Sequence, residues 1–287
     1  MGANLINVLL NGAAYGMLLF LMAAGLSVTM GLMGFTNLAH SAFAMVGGYI
    51  TATAMNSAGL PFLIVLPIAG IGAALLGILF EKFLFRRIYH FSQLDQVLLT
   101  VGLVYMSTAS ANYFWGAYAQ PVSMPPYLSG QMIIGPIGLG VYQALVIVFG
   151  LLIAIGLILG IEQTAVGARI RAAVDNRRMT LSCGVDVPWL FSLVFALGTF
   201  LAGLGGALSI NLTALSPQFS TKYLVLILIV VVVGGLGTIK GTFCAALLLG
   251  ILDVVGKYYL PELGSFVIYA VALTVLLCRP RGLFGTR

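Results

Sequence analysis

Long apolar runs, separated by short polar or Gly/Pro-containing breaks, account for most of this chain. Cutting at those breaks leaves nine runs, roughly 8 to 30, 38 to 57, 61 to 80, 96 to 115, 140 to 161, 188 to 211, 222 to 238, 242 to 257 and 264 to 279. Crossing a bilayer as a helix takes about 20 mostly apolar residues. The hydrocarbon region offers no water to the backbone, so each run must be a helix unless a closed barrel forms. Barrel strands alternate apolar and polar side chains over about ten residues. Val225 to Val233 reads VLILIVVVV and does not alternate. The pattern therefore predicts an all-α, polytopic transmembrane helical bundle of about nine spans, eight to ten if one run is re-entrant. The stretch GGLGTIKGT at 234–242 interrupts the long tract from 222 to 257. The loop 116 to 139 carries Pro121, Pro125, Pro126 and Pro136, and should hold a short lateral segment rather than another span. No soluble domain boundary is evident, so residues 1–287 read as a single transmembrane domain.

Composition strengthens this reading. Of 287 residues, 61% are hydrophobic and 7% are charged, and the mean hydropathy is +1.12. A soluble surface needs roughly 25–35% charged residues. A secreted disulfide scaffold, a disordered chain and a nucleic-acid-binding domain are excluded, the last despite a net charge of +6. Cys183, Cys244 and Cys278 show neither disulfide nor metal spacing. Cys244 and Cys278 lie in apolar runs and read as small core residues. The N-terminus lacks the positive region of a cleavable signal peptide.

The charges cluster. The first group is Glu81, Lys82, Arg86, Arg87 and Asp95. The second is Glu162, Arg169, Arg171, Asp175, Arg177, Arg178 and Asp186, and the third is Arg279, Arg281 and Arg287. Short cytoplasmic loops concentrate Lys and Arg. Three runs precede the first group, two separate it from the second, and four separate the second from the third. One orientation places all three inside, with the N-terminus outside and the C-terminus cytoplasmic.

Catalytic chemistry is missing. No G-x-x-x-x-G-K-[ST] phosphate loop occurs, so ATP hydrolysis by that route is excluded. H-E-x-x-H and G-x-S-x-G are absent too, and His40 and His90 are far apart. We assign no catalytic residue, no metal ligand and no cofactor in this chain. An ion-coupled secondary carrier of a small organic solute is the alternative class, but it would want an intramembrane carboxylate cluster. Only Asp253 lies within a predicted span, four residues before Lys257, where the two can pair as an interfacial ion pair or serve a substrate or gating role.

Three regions carry information. The segment 164 to 186 is basic and joins two spans on the cytoplasmic side. Arg169, Ala172, Ala173 and Arg177 have helical spacing, Gly184 suits a helix C-cap, and Pro188 can open the next span. Small residues let another protein approach closely and arginines can pair with its acidic groups; a solvated topogenic loop is the plainer alternative. Gly31, Gly34, Asn37 and His40 sit between two apolar runs and predict a broken helix. Irregular backbone at membrane depth is tolerated only against protein or a wet cavity. Asn37, His40 and Ser41 are therefore candidates for a translocation path, with hydrogen-bonded packing the alternative for His40. Gly203, Gly205 and Gly206, and then Gly234, Gly235 and Gly237, mark close helix packing or a flexible gate. Residues 193 to 211 faintly echo 19 to 37, as in transporters built from related halves.

These stretches resemble a known family. Gly167-Ala168-Arg169, Arg171-Ala172-Ala173, Asn176 and Gly184-Val185 are similar to the cytoplasmic coupling segment of permeases of ABC importers, specifically the branched-chain (hydrophobic) amino-acid permease family. Gly31 to Tyr49, GLMGFTNLAHSAFAMVGGY, resembles that family's first-half signature, and Val233 to Gly250, VGGLGTIKGTFCAALLLG, its second-half signature. The pair Arg177–Arg178 departs from the small or acidic residue more usual there. The resemblance implies a permease of the bacterial inner membrane that works with a second permease subunit. It implies cytoplasmic ATPase subunits, which bind ATP and Mg and dock on Gly167, Arg169, Arg171, Ala172, Ala173, Asn176, Arg177 and Gly184. It implies a periplasmic substrate-binding protein outside, and a branched-chain, hydrophobic or related small zwitterionic substrate.

Overall fold

A computed structural model describes residues 2–33, 35, 37–89, 91–134 and 137–285. Gly34, His90, Pro136 and Arg287, and the side chains of Glu162, Asp175 and Arg177, lie outside the described residues.

Twelve α-helices follow one another along the described chain. They are α1 (Gly2–Met33), α2 (His40–Ala58), α3 (Phe62–Phe80), α4 (Arg86–Ile88), α5 (Gln93–Trp115), α6 (Val141–Gln163), α7 (Ala165–Asp175), α8 (Arg177–Ser182), α9 (Val187–Ser209), α10 (Phe219–Gly234), α11 (Ile239–Tyr259) and α12 (Gly264–Cys278). Nine of these match the nine apolar runs; α4, α7 and α8 are the short ones. Among the described residues, six helical stretches are long and apolar enough to cross a membrane: 5–31, 62–88, 93–115, 141–161, 187–209 and 239–259. α10 and α12 are shorter apolar helices. α2 is more polar, carrying His40, Ser41, Thr51, Thr53 and Asn56.

Helix starts follow local chemistry. The first backbone N–H groups of a helix lack intrahelical partners, and a Ser, Thr, Asn or Asp oxygen can accept from them. Ser92 accepts from Asp95 N, Thr164 from Gly167 N, Asn176 from Met179 N, and Asp186 from Trp189 N. Pro188 sits in the first turn of α9, where its missing N–H costs nothing.

Helix α1 is the centre of the bundle. Leu18 to Ala24 are wholly buried, and α1 packs on α6, α9, α10 and α11. Glycines set these approaches. A methyl group at Gly16 would meet the backbone of Ala246, and one at Gly250 would meet Gly16. Between α2 and α9, a methyl at Gly206 would run into the Ala44 carbonyl oxygen and one at Gly47 into the Gly203 carbonyl. With no hydrophobic drive between helices in lipid, close backbone contact of this kind carries the packing. The outward faces stay apolar, with Leu75, Leu98, Met106, Leu152, Leu273 and Leu277 exposed.

Three expectations change, and a fourth gains detail. The helical path of α3 does not stop at residue 80 but continues through a π-turn, Glu81–Phe85, into α4. The short segment expected in the loop 116 to 139 is a β-hairpin, β1 (Gln131–Ile134) antiparallel to β2 (Ile137–Gly140). The basic segment is two helices rather than one, because Asn176 leaves α7 in extended geometry and caps α8. Cys244 and Cys278 are exposed, since their helices turn those positions away from the bundle.

Candidate functional site

The two glycine-marked breaks meet. α1 ends at Met33 and α2 starts at His40; α10 ends at Gly234 and α11 starts at Ile239. A side chain on Gly31 would collide with the Gly237 backbone. Gly235 and Gly237 have φ of 102° and 78°, the left-handed region that favours glycine. Thr238 folds its hydroxyl onto the Gly235 carbonyl at 2.8 Å. Thr242 donates to Ser27 at 2.9 Å and so ties α11 to α1 beside the breaks. The C-terminal segment closes over the same place, with Leu283 N donating to Val233 O at 2.8 Å and Phe284 N to Gly234 O at 3.2 Å.

Asn37, His40 and Ser41 are buried at the first break. Their side-chain polar atoms have no hydrogen-bond partner within normal geometry among the described residues. The His40 ring lies against Gly25 of α1, and the Met22 carbonyl faces it without completing a bond. Gly25 also meets the Gly198 carbonyl, so α1, α9 and the first turn of α2 converge there. Gly25 is eight residues before the end of α1, about 12 Å along the helix axis. The chain therefore folds back along α1 before α2 begins, as a broken helix must.

A second polar cluster lies beside it. The π-turn carries Glu81 inward, where its carboxylate is fully buried. Ser192 of α9 donates to Oε2 at 2.7 Å, Arg86 approaches Oε1 at 3.4 Å, and Tyr89 donates to Oε1 at 3.5 Å. Arg86 also donates to Ser192 at 3.1 Å. Burial, and then the Glu81 carboxylate, push the Tyr89 hydroxyl far above its ordinary range, so it stays a donor. Phe35 of the first break packs on Phe85 and Tyr89, with ring centres 5.3 and 5.2 Å away. Sequence reasoning placed Glu81 in a cytoplasmic loop. The overlooked signal was that it follows Phe80 with no Gly, Pro or polar break.

The basic segment has two faces. Gly167, Ile170 and Ala173 turn inward, and α7 rests on α1, α6 and α9. A side chain at Gly167 would strike the Ile161 backbone. Arg169, Ala172 and Asn176 point outward with Ala165 and Ala168. Arg171 is exposed and donates back to the Ile161 carbonyl. Ala173 is only 2% exposed, so its packing partner is this protein rather than an outside surface. Gly184, at φ 78°, ends the segment in left-handed geometry. Exposed Met179 and Leu181 on α8 continue the outer surface with an apolar stripe.

Among the described residues, six helices long and apolar enough to cross a membrane, close glycine contacts and two touching helix breaks define a polytopic membrane transport protein. A sequence profile of the family described as branched-chain amino acid transport system / permease component matches residues 8–276. The chain is 24% identical to the high-affinity branched-chain amino acid transport system permease protein BraD of Pseudomonas aeruginosa, over 96% of this chain and 94% of that one. It is 25% identical to the LivH permease protein of the corresponding system of Salmonella typhimurium, over 96% of this chain and 94% of that one. It is also 25% identical to a probable branched-chain amino acid transport permease protein LivH of Methanocaldococcus jannaschii, over 97% and 92%. No solved structure matches the chain. The protein belongs to the family of branched-chain amino acid transport system permease components.

Proposed function

We propose that this permease forms one side of the path of an ATP-driven importer for branched-chain or other small hydrophobic amino acids. A periplasmic binding protein delivers the substrate, a second permease completes the path, and cytoplasmic ATPase subunits dock on the outer face of α7 and α8. The N-terminus lies outside and the C-terminus inside the bacterial inner membrane. The observation that carries this reading is the two-faced α7: small and basic outward, apolar inward against α1 and α9.

The mechanics follow from the packing. A partner that grips Arg169, Ala172 and Asn176 moves α7, and with it the start of α9. Ser192 transmits that displacement to Glu81 and Arg86 on the π-turn. Phe85 and Tyr89 pass it to Phe35 in the first break. The breaks can yield because irregular backbone, unlike a continuous helix, has few bonds to lose. Asn37, His40 and Ser41 then exchange an apolar setting for a polar one as the path opens. The path carries few charges, which suits a zwitterion better than a multiply charged solute.

Docking is tested in the assembled complex. Ala172→Trp adds bulk on the outward face of α7, and Arg169→Glu reverses a charge there. Each variant should insert and fold normally yet lose substrate-stimulated ATPase activity by tenfold or more. Normal coupling in both would reduce the segment to a topogenic loop.

A further inference from the structure

At the end of the bundle away from α7 lies a cavity of about 670 Å³, within the roughly 300–1,000 Å³ usual for small-molecule sites. Its position follows from α6, which starts at the cavity with Gln143 and ends at Gln163, where α7 begins. Its polar wall includes Tyr15, Lys222, Tyr223, Asp253 and Lys257, from α1, α10 and α11. Asp253 is 3% exposed and is bonded to Lys257 at 2.5 Å. Tyr15 and Tyr223 line the same cavity as Asp253. Lys257 also lies over the Tyr15 ring, and Lys222 over the Tyr223 ring, at 5.8 and 5.7 Å. Lys222 is exposed and, among the described residues, has no ion-pair partner. Leu226 and Ile268 supply apolar lining.

Ionisable groups within a membrane bundle are costly to keep, and by default they point to function. Two lysines and one aspartate leave this cavity one positive charge in excess. That excess attracts a carboxylate, and Lys222 is the group free to take it. A carboxylate accepts through two oxygens, and the Lys257 bond uses only one of those on Asp253. An ammonium can therefore approach Asp253 and the tyrosine hydroxyls. The apolar lining is left for an aliphatic side chain. A simple cation would be repelled, and a simple anion would leave the Asp253 side unused.

We propose that this cavity is a receiving site for an α-amino acid zwitterion with an apolar side chain, its carboxylate on Lys222 and its ammonium toward Asp253. The assignment rests on the importer reading above, in whose orientation the cavity opens to the outside, where a binding protein releases its cargo. It adds a site within this one subunit, apart from the helix breaks.

The test uses the full chain in lipid nanodiscs and saturation-transfer NMR with three probes: leucine, leucine amide and 4-methylpentanoate. Leucine should give a saturable signal. The amide, lacking the carboxylate, and 4-methylpentanoate, lacking the ammonium, should bind at least tenfold more weakly. Lys222→Gln, at an exposed position that the fold does not need, should weaken leucine about tenfold, and Lys222→Arg should restore most of it. In vesicles bearing the complete transporter, Lys222→Gln should raise the KM for ATP-driven leucine uptake. The site is overturned if leucine fails to saturate up to about 10 mM, a range in which millimolar binding would be visible, or if Lys222→Gln binds it as well as the parent. Should either occur while the parent transporter still takes up leucine with ATP, the importer reading stands without this site. If the parent complex takes up no hydrophobic amino acid, that reading fails on its own account.

Discussion

Buried polar side chains in this bundle fall into two groups that differ in how they are satisfied. Glu81 is fully paired: Ser192, Arg86 and Tyr89 all reach its carboxylate. Removing the Ser192 hydroxyl leaves a buried oxygen without its shortest donor. Losing a partner to a buried acceptor costs about 1–3 kcal/mol. Ser192→Ala should therefore lower the thermal midpoint of the purified protein in detergent, and Ser192→Thr, which keeps the hydroxyl, should recover much of the loss. Asn37, His40 and Ser41 are the opposite case, buried without completed bonds. Removing His40 or Asn37 takes away a group the static bundle does not exploit. His40→Ala and Asn37→Ala should leave assembly intact and slow transport severalfold, measured as initial uptake rate at matched complex levels. Unchanged kinetics in both would remove these residues from the path.

The same reasoning sorts glycines within elements. Gly206 faces the Ala44 carbonyl across the α2–α9 contact, whereas a methyl at Gly102 on α5 meets nothing within 4 Å. Gly206→Ala should destabilise by about 1–3 kcal/mol through overpacking. Gly102→Ala should instead add about 0.5–1 kcal/mol of helix stability. Thermal unfolding of both variants side by side checks the pair, and equal behaviour would mean that close helix approach does not govern this packing. The π-turn after α3 is another element with a consequence: it places Glu81, rather than an apolar neighbour, against α9, and so couples the two helices through a charge.

Orientation belongs to the whole molecule. In a background with Cys183, Cys244 and Cys278 replaced by serine, single cysteines at Tyr118 and Arg178 report opposite sides, both positions being exposed. A membrane-impermeant maleimide added to intact cells or spheroplasts should label position 118 and spare 178. Labelling of both from one side would break the topology derived from the basic clusters.

Much of the architecture was legible in the residues alone because a bilayer imposes it. Runs of about 20 apolar residues must become helices there, so the placement of the main helices and of both breaks was legible. Two helix ends were equally local, as Gly184 in left-handed geometry and Pro188 in the first turn of α9 show. What the sequence could not state is which side of each helix faces protein. In a soluble helix the apolar stripe marks the core. Here lipid-facing and core-facing positions are both apolar, so no period separates them. Hence Cys244 looked internal and is exposed, and Ala173 looked available for docking and is buried. Only the tertiary structure brought Gly31 to Gly237, Ser192 to Glu81, and Lys222 into one cavity with Asp253 and Tyr15. Those meetings join helices far apart in the chain, and they depend on how close a glycine lets two backbones come.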